Sequence, residues 1–366
     1  MTTSPNNAAP GAPSGDPPAQ PEESGEVIVP RSRRTSPVRA ARLREPIGLV
    51  VGLAVLVILG LKLAPANSLE LEYAVSLALF AVATNLLLGF GGLVSFGQGV
   101  FYAVGAYVVS LGWMHHSLTF TEAMLVAPVA GAAVALPLGL LALRTRRLYF
   151  ALLTLTFSQL AYVILENQAG VTGGSNGVFG SMLPNWLLGS RGSFFFVLAV
   201  TALSIGILWK ITRSPFGMVL RAIRDNRERV EALGVNVFAH ELVAFVLSGF
   251  FCAIAGSLFV VYSQSSYPEL AVWTNSGIPI FMAVIGGMYT FFGPVLGAFV
   301  YELSNHYLIE HTQDWQIVLG VVLLVIVLLR PDGLAGTLHA IGARIRRRRD
   351  AATSDVAARR KLDGDL

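Results

Sequence analysis

Long apolar stretches, separated by short polar punctuation, fill the chain from about residue 47 to residue 330. The run from Tyr73 to Met114 contains no Asp, Glu, Lys or Arg, and neither do the runs from Ala123 to Leu143 and from Leu242 to Tyr262. A helix crosses a hydrocarbon core in about 20 such residues while satisfying its own backbone hydrogen bonds. The alternation expected of a barrel strand is missing. The pattern predicts ten spans, at about 47–65, 71–90, 94–114, 122–143, 148–166, 193–212, 240–262, 274–290, 294–309 and 315–330. The expected fold is an all-α, polytopic membrane bundle occupying 46–332, between a disordered N-terminal tail (1–45) and a basic C-terminal tail (333–366).

Basic clusters precede the first span and follow the fourth (Arg144, Arg146, Arg147), the sixth (Lys210 to Arg229) and the tenth (Arg344, Arg346 to Arg349). An even number of spans separates each cluster from the next, so all of them share one face. The positive-inside rule makes that face, and both termini, cytoplasmic. The arginines between Arg31 and Arg44 read as part of this topology signal rather than as a nucleic-acid patch.

Two joints interrupt the apolar pattern. GFGGLVSFGQG (Gly89 to Gly99) breaks one uncharged run, and Gly286-Gly287 with Gly293-Pro294 breaks another that is too long for one crossing and too short for two. Paired glycines open the backbone at membrane depth, and interrupted segments point to a transport path. Asn85, Gly91, Gly92, Ser95, Gln98, Gly286, Gly287, Gly293 and Pro294 are the path candidates. Close helix packing through small residues is the competing reading. Thr154, Thr156, Ser158 and Gln159 stripe the fifth span, where hydroxyls ordinarily bond their own backbone or a neighbouring helix.

One stretch departs from this greasy background. RAIRDNRERVEALG (Arg221 to Gly234) carries seven charges in fourteen positions. At 100° per residue, Val219, Ile223, Val230 and Leu233 form one ridge while Arg221, Arg224, Asp225 and Glu228 point away, which predicts an amphipathic cytoplasmic helix over about 215–235. Its polar face mixes signs, as suits docking into a groove on a soluble protein better than adhesion to anionic lipid.

Composition agrees with a membrane protein: 54% of the residues are hydrophobic and 13% charged, against about 25% charged in soluble domains. The single cysteine, Cys252, lies in an apolar run and reads as a packed thiol. No lysine follows a glycine, so the phosphate-cradling Gly-Lys-Ser/Thr motif is absent and any nucleotide engine has to be another protein. No spacing suggests a metal site, a cofactor or a nucleophile. Glu302, with His306 one turn later, is the carboxylate nearest mid-span and supports a rival class, a proton-coupled carrier.

SPFGMVLRAIRDNRERVEALGVNV followed by LVAFVLSGFFCAIAGSLF resembles the permeases of branched-chain amino acid ABC importers, LivM type. So do NLLLGFGGLVSFGQGVFYAVGAY, RLYFALLTLTFSQLAYVILEN with TGGSNG, GGMYTFFGPVLGAF and RPDGLAG, in order over about residues 70–336. The resemblance implies a second permease of LivH type, two cytoplasmic ABC ATPases, an extracytoplasmic binding protein and an amino acid substrate. Urea or short amides are the alternative within similar scaffolds. It also implies that the charged loop is a coupling helix, with Gly217, Arg221, Arg224, Asp225, Arg227, Glu228, Glu231, Ala232 and Gly234 as contacts. The loop of Thr172, Gly173, Gly174 and Asn176 is either a plain turn or the surface for the binding protein.

Overall fold

The computed structural model of the chain describes residues 65–114, 118–145, 147–180 and 189–311, together with 183–184, 187, 317–318, 320–321, 324 and 333–336. The first span, the N-terminal tail, His115 and His116, most of the tenth span and nearly all of the C-terminal tail lie outside the described residues.

The described chain is helical. Its main elements are α1 (Pro65–Asn85), prolonged by a π turn (Leu86–Gly91), α2 (Gln98–Met114), α3 (Phe120–Ala142) and α4 (Arg147–Asn167). A short α5 (Ala169–Thr172) precedes β1 (Val178–Phe179), and then come α6 (Ser190–Arg213), α7 (Pro215–Asp225), α8 (Arg227–Ala232) and α9 (Val237–Ser263). β2 (Ser265–Ser266), a 3₁₀ turn (Pro268–Ala271), α10 (Trp273–Gly286) and α11 (Gly293–His311) complete the order. Among the described residues, five helical segments are long and apolar enough to cross a membrane: Leu69–Gly91, Phe120–Ala142, Leu148–Asn167, Arg191–Arg213 and Val237–Ser263. The others that were expected to span, α2, α10 and α11, are shorter or more polar.

Burial sorts these helices by role. α1 is buried on every side, as expected of a helix apolar all round, whereas α3 and α4 expose rows of Leu and Val suited to lipid. α9 crosses α2 so closely that a Cβ on Gly105 would strike the Ala253 carbonyl and one on Gly256 would strike that of Tyr102. Small residues buy this approach, and dispersion rather than water exclusion then holds the helices together in lipid. At one end of the bundle, β1 and β2 pair antiparallel, Val178 opposite Ser266.

The loop expected as one helix over 215–235 is two helices. Asn226 is extended (φ −158°, ψ 98°), and its side chain accepts the Arg229 N–H at 2.9 Å, so it ends α7 and caps α8. Ile223, Val230 and Val237 form a small apolar core with Val219 and Val235 packed on it. Leu233, beyond the break, is 78% exposed instead of joining that ridge.

Candidate functional site

The two glycine joints meet each other, and the charged loop meets both. In the first joint, the π turn brings Gly89 so near the second joint that a Cβ there would collide with the Met288 carbonyl. Gly92 follows in the left-handed region (φ 67°), where its missing side chain leaves room for Arg224, whose Cγ lies 2.6 Å from the position a Cβ would take. Arg224 Nη1 donates to the Gly89 carbonyl at 2.6 Å, its Nε and Nη2 donate to Asp225 Oδ1 at 3.0 and 2.9 Å, and its guanidinium lies over the Tyr289 ring. The second joint is equally tight: a Cβ on Gly286 would enter the Gly293 carbonyl, and Gly333 of the RPDGLAG stretch lies against Gly287.

Several path candidates spend their polarity on the protein itself. Gln98 Nε2 donates to Ser95 Oγ at 3.2 Å, and Gln98 Oε1 accepts from Ser248 Oγ at 3.1 Å and from Cys252 Sγ at 3.3 Å. In the stripe on α4, Thr154 and Thr156 bond the carbonyls of Ala151 and Leu152, and Ser158 donates to Ala271 O at 2.6 Å. Asn85 differs: it is 1% exposed at the head of the π turn, and neither atom of its amide has a hydrogen-bond partner. Gly91, Gly92, Gly287 and Pro294 complete the joints without polar side chains. None of the nine path candidates lines the open cavity of about 720 Å³ bordered by α1, α2, the 267–271 segment, α10, α11 and Gly320 with Leu324.

The candidate coupling residues divide into two sets. Arg221 and Arg224 turn inward, although helical spacing points them away: Arg221 Nη2 donates to Thr212 O at 2.6 Å, and its guanidinium lies 5.3 Å from the centre of the Phe90 ring. Gly217 is buried against the Thr212 carbonyl, which leaves no space for a side chain. Arg227 is anchored as well, its Nη1 donating to both carboxylate oxygens of the buried Glu241 at 2.8 Å and its Nε to Glu231 at 3.0 Å. Burial works against the charge on Arg227, but the Glu241 and Glu231 carboxylates outweigh it and hold the guanidinium above the ordinary arginine range. Asp225, Glu228, Glu231, Ala232 and Gly234 face outward beside two exposed apolar side chains, Met218 (58%) and Leu233 (78%).

At the other candidate surface, Thr172 Oγ1 donates to the Leu165 and Gln168 carbonyls, and Gly173 and Gly174 both have positive φ. A tight turn therefore uses Thr172, Gly173 and Gly174, while Asn176 stands exposed. Glu302 is buried in α11, and His306 Nε2 lies 3.1 Å from Glu70 Oε1. Glu302 is not the sole buried carboxylate of the helices. Glu72 on α1 is fully buried and accepts from Ser193 at 2.8 Å, and Glu241 is buried at the start of α9. Among the described residues, no group of three or more His, Cys, Asp or Glu side chains is placed to hold a metal.

Comparison with known proteins adds identity to this geometry. The family described as branched-chain amino acid transport system / permease component matches residues 70–328. The high-affinity branched-chain amino acid transport system permease protein LivM of Escherichia coli is 27% identical over 285 residues, 70% of this chain and 67% of the relative. The LivH permease of the same organism is 24% identical over 290 residues, 71% of this chain and 91% of the relative. A probable LivM permease of Methanocaldococcus jannaschii is 24% identical over 277 residues, 68% and 77% of the two chains. No solved structure matches the chain. With most of its length matched and its apolar helices suited to a bilayer, the chain belongs to the branched-chain amino acid transport permease family, LivM type.

Proposed function

We propose that this chain is one of two permease subunits forming the translocation path of an ATP-driven importer. It pairs with a LivH-type permease, docks cytoplasmic ABC ATPases on the outward face of α7 and α8, and receives amino acids from an extracytoplasmic binding protein. Its cargo is a branched-chain or related hydrophobic amino acid, it lies in a bacterial inner membrane, and its termini are cytoplasmic. The family to which it belongs favours neither the amide nor the proton-coupled alternative.

One observation carries the coupling assignment: Arg224, on a loop helix outside the spans, is bonded to the Gly89 carbonyl inside the first glycine joint. A displacement of α7 cannot leave that joint unmoved. The face of the loop turned away from the bundle presents Met218 and Leu233 among Asp225, Glu228 and Arg229, an apolar anchor with a mixed-charge rim.

The test is co-purification of the ATPases with the complete permease pair. Met218→Asp with Leu233→Asp should lower ATPase recovery about tenfold or more, since tenfold corresponds to only about 1.4 kcal/mol of contact energy. Undiminished recovery together with normal ATP-driven uptake would remove the docking face. Full uptake by the permeases alone in proteoliposomes would remove the whole reading.

A further inference from the structure

The cavity of about 720 Å³ has a size suited to a small molecule and a wall of unusual chemistry. Phe80 and Tyr102 pack at 4.5 Å between ring centroids on one side, and Ile278 and Phe281 of α10 stand among its lining residues. Glu269, on the 3₁₀ turn, supplies the one carboxylate among the lining residues, and no Lys, Arg or His accompanies it. The Tyr102 ring belongs to the wall, but its phenol oxygen is sealed from the cavity as it is from solvent. Asn275 donates one amide hydrogen to Leu270 O at 2.8 Å and keeps a second.

Each feature selects against some occupants. The unbalanced carboxylate repels anions and attracts an ammonium, which the faces of tyrosine rings also favour. The apolar wall stays uncovered unless the occupant carries a hydrocarbon body, so urea or a short amide gains little there. The second amide hydrogen of Asn275 offers a donor to an oxygen of the occupant. These demands together describe a zwitterion with an aliphatic side chain.

We infer that this cavity is a binding site for an aliphatic α-amino acid, with its ammonium at Glu269, its carboxylate on the free donor of Asn275, and its side chain against Phe80, Ile278 and Phe281. The assignment rests on the reading of the chain as an amino acid permease and adds a place where the solute pauses. It also separates amino acids from amides by the wall itself rather than by a delivering protein.

The chain's single cysteine, Cys252, is buried, so a thiol placed on the cavity wall reports alone. Thr274→Cys and, separately, Phe281→Cys are made in the full-length chain, assembled with its partner subunits in membrane vesicles without nucleotide. The rate of alkylation by N-ethylmaleimide is then measured. Millimolar leucine should slow labelling at both positions at least threefold, while equal concentrations of urea and of 4-methylpentanoate, which lacks the amine, leave it unchanged. Adding Glu269→Gln should remove the protection by leucine.

The inference is overturned if leucine gives no protection at either position, if urea or 4-methylpentanoate protects as well as leucine, if Glu269→Gln leaves protection intact, or if neither thiol can be labelled. Because no ATP or ATPase movement enters this readout, failure here is distinct from failure of the coupling face, which is read by ATPase recovery.

Discussion

Arg224 on α7 donates a 2.6 Å hydrogen bond to the carbonyl oxygen of Gly89, in the π turn that prolongs α1. The carbonyl is free to accept a side chain because Gly89 lies in the last turn before the helix ends at Gly91, where the final carbonyls lack an intrahelical N–H. Asp225 steadies the same guanidinium, and Tyr289 of the second joint lies under it, so three separate segments share one side chain.

Arg224→Ala should therefore uncouple rather than dissociate. ATPase recovery is expected to stay within about twofold of the parent, because the guanidinium faces the bundle, while uptake per ATP hydrolysed falls at least tenfold. Arg224→Lys should rescue uptake poorly, since an ammonium lacks the planar fork that serves Gly89, Asp225 and the Tyr289 ring together. The two quantities are measured side by side in proteoliposomes. Equal losses of recovery and uptake would place Arg224 in the docking face instead.

Gly92 and Gly180 share positive φ, at 67° and 79°, but not surroundings. A Cβ on Gly180 meets nothing within 4 Å, whereas one on Gly92 lies 2.6 Å from Arg224 Cγ. Gly180→Ala is expected to cost only the left-handed backbone penalty, about 1–2 kcal/mol, with transport preserved. Gly92→Ala should add displacement of Arg224 and abolish most uptake. Thermal unfolding and uptake of the two variants give the comparison, and similar transport in both would show that the joint tolerates a wall between Gly92 and α7.

Much of this was legible in the sequence, for a physical reason. A helix surrounded by lipid or by other helices needs an unbroken apolar run, so runs expected at 122–143 and 240–262 become Phe120–Ala142 and Val237–Ser263. Glycine pairs announced both joints, but nothing in local spacing says that Gly89 will reach Met288. The angular reading of Arg221 to Gly234 assumed one continuous helix. Asn226 breaks it, and arginine stems are long enough to fold back on their own scaffold, so Arg221 and Arg224 left the face their Cα positions assign. Glu72 escaped notice because it stands one position outside the charge-free run that begins at Tyr73. The cavity escaped because Phe80, Tyr102, Glu269 and Ile278 come from four different elements.

Cys252 is fully buried and donates to Gln98 Oε1 at 3.3 Å. Native vesicles should thus show no labelling of the parent chain by N-ethylmaleimide over a period in which the denatured chain is labelled completely. Cys252→Ser should be tolerated, because a hydroxyl of similar size makes the same donation more strongly, with a cost of about 1 kcal/mol or less. Rapid labelling in the native membrane would mean that α2 and α9 open at Gln98.

Glu241 is a carboxylate buried at the start of α9, and Arg227 of α8 meets both of its oxygens at 2.8 Å. The pair is one-sided, because the Glu241 side chain is 3% exposed and that of Arg227 37%. Removing a partner from a buried pair costs about 3–5 kcal/mol, but water reaching Arg227 trims this, so Arg227→Ala is expected to cost about 2 kcal/mol. Glu241→Gln should cost less, since its freed arginine can turn to Glu231 and solvent. Arg227→Met combined with Glu241→Leu removes both charges of the pair and should recover part of the loss. The double-mutant cycle, read from thermal unfolding of the purified complex, isolates the coupling between the two residues. Additive effects would show that the contact contributes nothing and that α8 is held by other contacts, the Ile223, Val230 and Val237 cluster among them.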